Sequence, residues 1–176
     1  IPTFQNPSGR THSEDERRAV VELAQARGVT VFEDDPYRLV RYEGDNVPSL
    51  IEISEGNGVI FACSFSKSVA PGLRAGYLIV PEDVVAPLTS ALATMYISPP
   101  MLPQAAIYEL IRRGKFESAL ENTRTELKAR RDAMFEALDA DKSGHISFRE
   151  FLDGLSPPMT LARGDGVTAA FHKVYA

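Results

Sequence analysis

The stretch VIFACSFSKSVAPGLRAGYLIV, residues 59–80, decides the architecture. Its ends, Val59 to Ala62 and Tyr77 to Val80, are short apolar runs of the kind that form buried strands. Between them Lys67 falls just past the first run, at a strand edge, and Pro71-Gly72 turns the chain toward the second. Upstream, Asn6-Pro7-Ser8-Gly9 is dense in turn formers, and Ser13 with Glu16 makes a capping box that starts a helix. That helix offers Val20, Val21, Leu23 and Ala24 as its apolar face and ends at Gly28 in a left-handed turn. Val29 to Phe32 then reads as a further strand. Downstream the spacing predicts helices over Val84–Tyr96, Pro103–Arg113 and Phe116–Leu138. Strands interleaved with helices give an α/β layered fold.

The chain has 176 residues, 44% of them apolar, which is enough for one ordinary core or two small ones. Its 24 acidic and 19 basic residues are spread along the sequence, so no basic stripe for nucleic acid forms. No apolar run approaches the roughly 20 residues that a bilayer crossing needs, and no membrane partner is expected. A lone cysteine, Cys63, excludes an internal disulfide and fits a reducing compartment, with the cytoplasm as the expected location. The chain opens on Ile1-Pro2-Thr3 and meets its first turn within ten residues, as though an upstream part had been removed.

Four short motifs stand in order: Asn6-Pro7-Ser8-Gly9, Glu33-Asp34-Asp35-Pro36-Tyr37, Ser64-Phe65-Ser66-Lys67 and Pro71-Gly72-Leu73-Arg74. Each is weak alone. Asn6 has a ready explanation as a turn residue, Asp34 and Asp35 as the close of a strand, and Arg74 as a surface ion pair. As an ordered set they resemble the fold-type I pyridoxal-phosphate enzymes, specifically class I/II aminotransferases of the aminoadipate and multi-substrate type. The resemblance covers residues 1–138 and implies part of the large, cofactor-binding domain.

The resemblance implies a role for each motif. The Lys67 amine condenses with the cofactor aldehyde, is displaced by a donor amino acid, and then carries the proton at the substrate Cα. A carboxylate beside the pyridine nitrogen keeps the ring protonated so that it takes up electrons. Asp34 has this role by family spacing, with Asp35 as the competing assignment. Tyr37 and Asn6 reach the ring hydroxyl, while Ser64, Ser66 and Arg74 bind the phosphate. An amino acid and a 2-oxo acid are the implied substrates, and a homodimer the implied assembly. Ser64-Phe65-Ser66-Lys67 also fits the S-x-x-K nucleophile of penicillin-binding enzymes, although their Ser-Asp-Asn element is absent.

A second signature follows. Asp139 to Glu150, DADKSGHISFRE, matches the EF-hand loop. Calcium takes about six to eight oxygens, and the loop offers side chains at Asp139, Asp141, Ser143 and Ser147, the carbonyl of His145, and a bidentate Glu150. Gly144 permits the sharp turn. Met134, Phe135 and Leu138 before the loop, and Phe148, Phe151, Leu152 and Leu155 after it, form the apolar flanks. Phe151 to Met159 and Ala170 to Tyr175 are similar to calcyphosine-type EF-hand proteins, so residues 139–176 are expected to form a calcium-binding segment. The competing reading is a plain acidic connection between helices. The functional expectation is an incomplete pyridoxal-phosphate aminotransferase, with a calcium-binding regulatory module fused to an inactive fragment as the alternative.

Overall fold

The computed structural model describes residues 1–155. Two compact units divide between Thr123 and Arg124. The first holds helix α1 (Glu14–Ala26), strand β1 (Val31–Asp34), a short helix α2 (Leu50–Ile53), strand β2 (Val59–Ser64), strand β3 (Gly76–Ile79), and helices α3 (Glu82–Tyr96) and α4 (Met101–Arg112). Helix α5 (Phe116–Leu138) begins in this unit, and α6 (Phe148–Leu155) belongs to the second.

The α/β expectation holds. The sheet has the order β1-β2-β3, with β1 parallel to β2 and β3 antiparallel. Val31 pairs with Val59 and Asp34 with Ala62, while Ser64 pairs with Gly76. The C-terminal ends of β1 and β2 therefore share one edge of the sheet with the start of β3. Alternate residues Val59, Phe61 and Cys63 point inward and are buried, as a period of two requires. Val21, Leu50 and Val59 form the core that joins α1, α2 and β2, with Val31, Ile51 and Ile53 packed around it.

Several details differ from the sequence reading, among them the run read as a second buried strand, which forms β3 with Leu78 and Ile79 exposed. The first strand runs over Val31–Asp34 rather than Val29–Phe32. Gly28, at φ 60°, turns the chain, and the Val29 amide donates back to the Ala24 carbonyl, so Val29 still belongs to the helix exit. The inward face of α1 is also not the expected one, since Val20 and Leu23 are exposed. Arg17, Val21 and Ala24 follow the inward helical spacing instead, with Arg17 fully buried. The capping box of Ser13 and Glu16 forms as expected.

In the second unit, Gly154 of α6 abuts the Leu138 side chain at the end of α5. Of the expected apolar flanks of the acidic loop, Met134, Phe148, Phe151 and Leu152 are exposed, while Phe135 and Leu138 are partly buried. Ala170 to Tyr175, which carry part of the calcyphosine-type resemblance, lie outside the described residues. No helix among the described residues is long and apolar enough to cross a membrane.

Candidate functional site

The end of β1 delivers two carboxylates to different surroundings. Asp34 closes the strand and is partly exposed. Asp35 turns inward and is fully buried, its Oδ2 accepting the Thr3 hydroxyl at 2.9 Å. Burial raises the Asp35 carboxyl above its ordinary range, against the opposing pull of the Thr3 hydrogen bond and of Arg38 and Arg17. Glu33, on the same inward face, accepts the backbone N–H groups of Leu50 and Ile51 at 2.9 and 3.1 Å. It thereby satisfies donors at the start of α2 that the helix cannot pair internally. Burial raises its carboxyl as well.

From the end of β2 the chain enters a turn that carries Ser66 and Lys67. The Ser64 hydroxyl donates to the Ser66 hydroxyl at 2.8 Å and accepts the Ser66 amide at 3.1 Å. Lys67 is exposed, with Nζ 5.9 Å from the centre of the Tyr37 ring. The Phe65 amide bonds the Ala75 carbonyl at 3.0 Å, closing the loop that holds Arg74. Arg74 adopts a left-handed conformation at φ 51°, and among the described residues its guanidinium reaches the nearby Pro71 carbonyl, at 3.5 Å. Phe65 packs at 5.4 Å against Tyr77, the rings tilted by 45°, and edge-on at 6.2 Å to Phe116, which holds the root of the loop. The Tyr77 phenol, pushed up to about 12 by burial and then by Cys63, stays protonated at neutral pH.

Asn6 sits exposed in a turn entered through a cis Asn6–Pro7 peptide and closed by Gln5 and Arg10. The sheet register gathers Asp34, Ser64, Ser66, Lys67 and Arg74 at one edge, and Tyr37 joins them through Lys67. Ligands of open α/β sheets bind at such an edge, outside the C-terminal ends of the parallel strands. Thr3, Arg17 and Glu33 were not legible as site-forming residues. The one available signal was the helical spacing of Arg17 with Val21 and Ala24.

The acidic loop also draws together. Oxygens of Asp139, Asp141 and Glu150 all lie within 4.8 Å of one another. Asp139 and Asp141 accept the Ser143 amide, each at 3.0 Å, and Asp139 also accepts the Gly144 amide at 2.9 Å. The Ser143 hydroxyl donates to the His145 carbonyl at 3.0 Å. Ser147 and Glu150 form a reciprocal cap, with the Ser147 amide donating to Glu150 at 2.9 Å and the Glu150 amide to the Ser147 hydroxyl at 3.2 Å. That hydrogen bonding holds the Glu150 carboxyl below its usual range.

Comparison with known proteins identifies the family of the chain. The family described as aminotransferase class I and II matches residues 1–150, continuing across the acidic loop. A 2-aminoadipate transaminase of Thermus thermophilus is 31% identical over 98% of this chain, which covers 44% of that protein. The solved kynurenine aminotransferase of Pyrococcus horikoshii superposes with a TM-score of 0.75 at 34% identity, over 80% of this chain and 35% of that one. A Bacillus subtilis protein named as the HTH-type transcriptional regulator YisV is 32% identical over 79% of this chain and 29% of its own length. The chain thus spans less than half the length of these relatives. The S-x-x-K pattern at Ser64 accordingly lies within an aminotransferase match rather than in a penicillin-binding enzyme. With the family matched over most of its residues, the chain belongs to the class I and II aminotransferases.

Proposed function

We propose that residues 1–138 hold pyridoxal phosphate and form part of an aminotransferase that moves an amino group between an amino acid and a 2-oxo acid. The gathering of Lys67, Tyr37, Asp34 and the Ser64–Ser66 hydroxyl pair at one sheet edge carries this reading. The donor set fits the group. Two adjacent hydroxyls and a guanidinium without an ion pair among the described residues suit a phosphate, and a partly exposed carboxylate suits a protonated ring nitrogen. When bound, the cofactor supplies an aldehyde to take the amino group and a ring that draws electrons from the amino acid Cα. Lys67 would hold the cofactor through Nζ and, once displaced by the substrate amine, would carry the proton at Cα. Asp34 holds the proton on the ring nitrogen, Tyr37 and Asn6 orient the ring hydroxyl, and Ser64, Ser66 and Arg74 bind the phosphate.

Mixing the protein with pyridoxal phosphate is expected to give a visible absorbance band that Lys67→Ala abolishes. An unchanged spectrum, or a band indifferent to that substitution, sinks the reading. The solved Pyrococcus relative was obtained in complex with PMP, which supports the same cofactor class here. Because the region is also shared with a protein named as a transcriptional regulator, amino transfer needs its own assay, with a panel of amino acids and 2-oxoglutarate. A homodimer is the proposed assembly, supported by apolar surface at Met95, Ile97, Met101 and Leu102, which are 71–92% exposed. Light scattering of the unmodified chain and of Leu102→Glu tests it, with loss of the dimer in the variant as the expected result.

The oxygen cluster of Asp139, Asp141 and Glu150 favours a second reading, in which residues 139–176 bind calcium with help from Ser143, Ser147 and the His145 carbonyl. Calorimetric titration is expected to show calcium heat that Glu150→Gln removes; heat indifferent to that change leaves a capped acidic connection.

A further inference from the structure

We infer that Thr3 and Asp35, braced by Arg17, are positioning residues that set Asn6 against Asp34 and Tyr37; the inference rests on the cofactor reading above. Residues 2–12 form a loop whose neck is closed where the His12 amide donates to the Pro2 carbonyl at 2.9 Å. Arg17 grips this neck from α1. Its Nε donates to the His12 carbonyl at 3.0 Å, and Nη2 to the Pro2 carbonyl at 3.0 Å and the Thr3 hydroxyl oxygen at 3.1 Å. Nη1 reaches the Pro48 carbonyl at 3.1 Å, tying in the approach to α2.

The Thr3 hydroxyl then does what no apolar side chain of the same shape can do. It accepts from Arg17 and donates to Asp35 Oδ2, so one oxygen links a cation on α1 to an anion at the exit of β1. Thr3, Arg17 and Asp35 are 2%, 0% and 0% exposed, so water does not compete for these bonds. Thr3 lies three positions before Asn6, and Asp35 lies between Asp34 and Tyr37. The guanidinium of Arg41 lies 4.3 Å over the Phe4 ring and steadies the same loop from its other side. Asp35 engages the loop through Oδ2, its buried Oδ1 having no partner among the described residues, while Asp34 is partly exposed and open to the cofactor. Groups that must converge on one ring tolerate little displacement, because a shift of about 1 Å costs on the order of a hundredfold in function.

The test uses the whole chain with Thr3→Val, which keeps the shape and removes the hydroxyl, and Thr3→Ser, which restores it. Hydrogen exchange is read first without cofactor. The amides of Gln5, Gly9 and His12, bonded to Arg10, Gln5 and Pro2, are expected to exchange about tenfold faster in Thr3→Val, while β2 amides and the Thr3→Ser protein stay near the unmodified values. Equal loop exchange in Thr3→Val and the unmodified protein overturns the inference. Where Thr3→Val does not fold, Thr3→Ala, which removes the hydroxyl with less bulk, is judged on the same amides by the same criterion.

Pyridoxal phosphate titration is read second. Thr3→Val is expected to raise the dissociation constant about tenfold or more and Thr3→Ser to restore it; equal affinity in both variants and the unmodified protein overturns the positioning role. If the unmodified chain shows no Lys67-dependent band, the cofactor reading fails by itself and the positioning of a cofactor site falls with it. A band that is present but indifferent to Thr3→Val overturns the positioning role alone.

Discussion

Glu33 holds Leu50 by the backbone: Oε1 accepts the Leu50 amide at 2.9 Å while Oε2 takes the next amide along. A strand residue 1% exposed thus caps the helix that supplies part of the core. Glu33→Gln puts an amide N–H₂ group where an acceptor is needed and is expected to lower unfolding stability by about 2–3 kcal/mol. Urea denaturation checks it, and a loss close to that of an exposed substitution such as Glu22→Gln would contradict the capping role.

Burial of Asp35 sets the expected sign of a pH dependence of stability. Burial raises its folded-state carboxyl above the unfolded value, so the folded protein binds the extra proton. The stabilising contribution is present below the unfolded value, near about pH 4, and is lost as pH rises through the folded value. Asp35→Asn removes this titration. The stability of the unmodified protein minus that of Asp35→Asn is therefore expected to fall as pH rises from about 4, and a difference that rises instead would reverse the assignment.

Gly76 pairs with Ser64 where no side chain fits. A Cβ on Gly76 would stand 2.7 Å from the Cys63 carbonyl oxygen, a backbone atom that cannot rotate away. Gly76→Ala is expected to cost about 1–3 kcal/mol by forcing β2 and β3 apart. Thermal unfolding measures this, and an unshifted midpoint would mean that the strands part without cost.

Arg74 carries a test of the phosphate assignment that leaves Lys67 in place. Arg74→Ala is expected to weaken pyridoxal phosphate binding about ten- to a hundredfold, the range for a charge-assisted hydrogen bond. Affinity for pyridoxal, which lacks the phosphate, is expected to stay unchanged. Equal weakening of both ligands would assign Arg74 to the loop's shape instead.

Local signals were legible where local physics decides. The capping box at Ser13, the turn at Gly28 and the whole extent of α5, Phe116–Leu138, follow from nearest neighbours along the chain. β1 was displaced because its pattern inverts hydropathy: Phe32 faces solvent at 62% exposure while Glu33 is buried. Only the tertiary partners, the amides at the start of α2, make that inversion stable. Arg17 was overlooked for the same reason, since its acceptors include the carbonyls of Pro2, His12 and Pro48, which the fold assembles from separate segments. The motifs singled out the lysine, the hydroxyls and the arginine as candidates, which the fold brings to one sheet edge. They left Asp34 and Asp35 open, because which carboxylate points inward depends on strand register.

The Ser64–Gly76 pair and the Phe65–Ala75 hydrogen bond fasten both ends of the segment between them, which contains Ser66, Lys67 and Arg74. Such a segment behaves as an exchangeable insert. Its length and sequence can change while the sheet beneath stays in register, so substitutions between Ser66 and Arg74 should retune what is held at this edge without a matching change in how the strands pair.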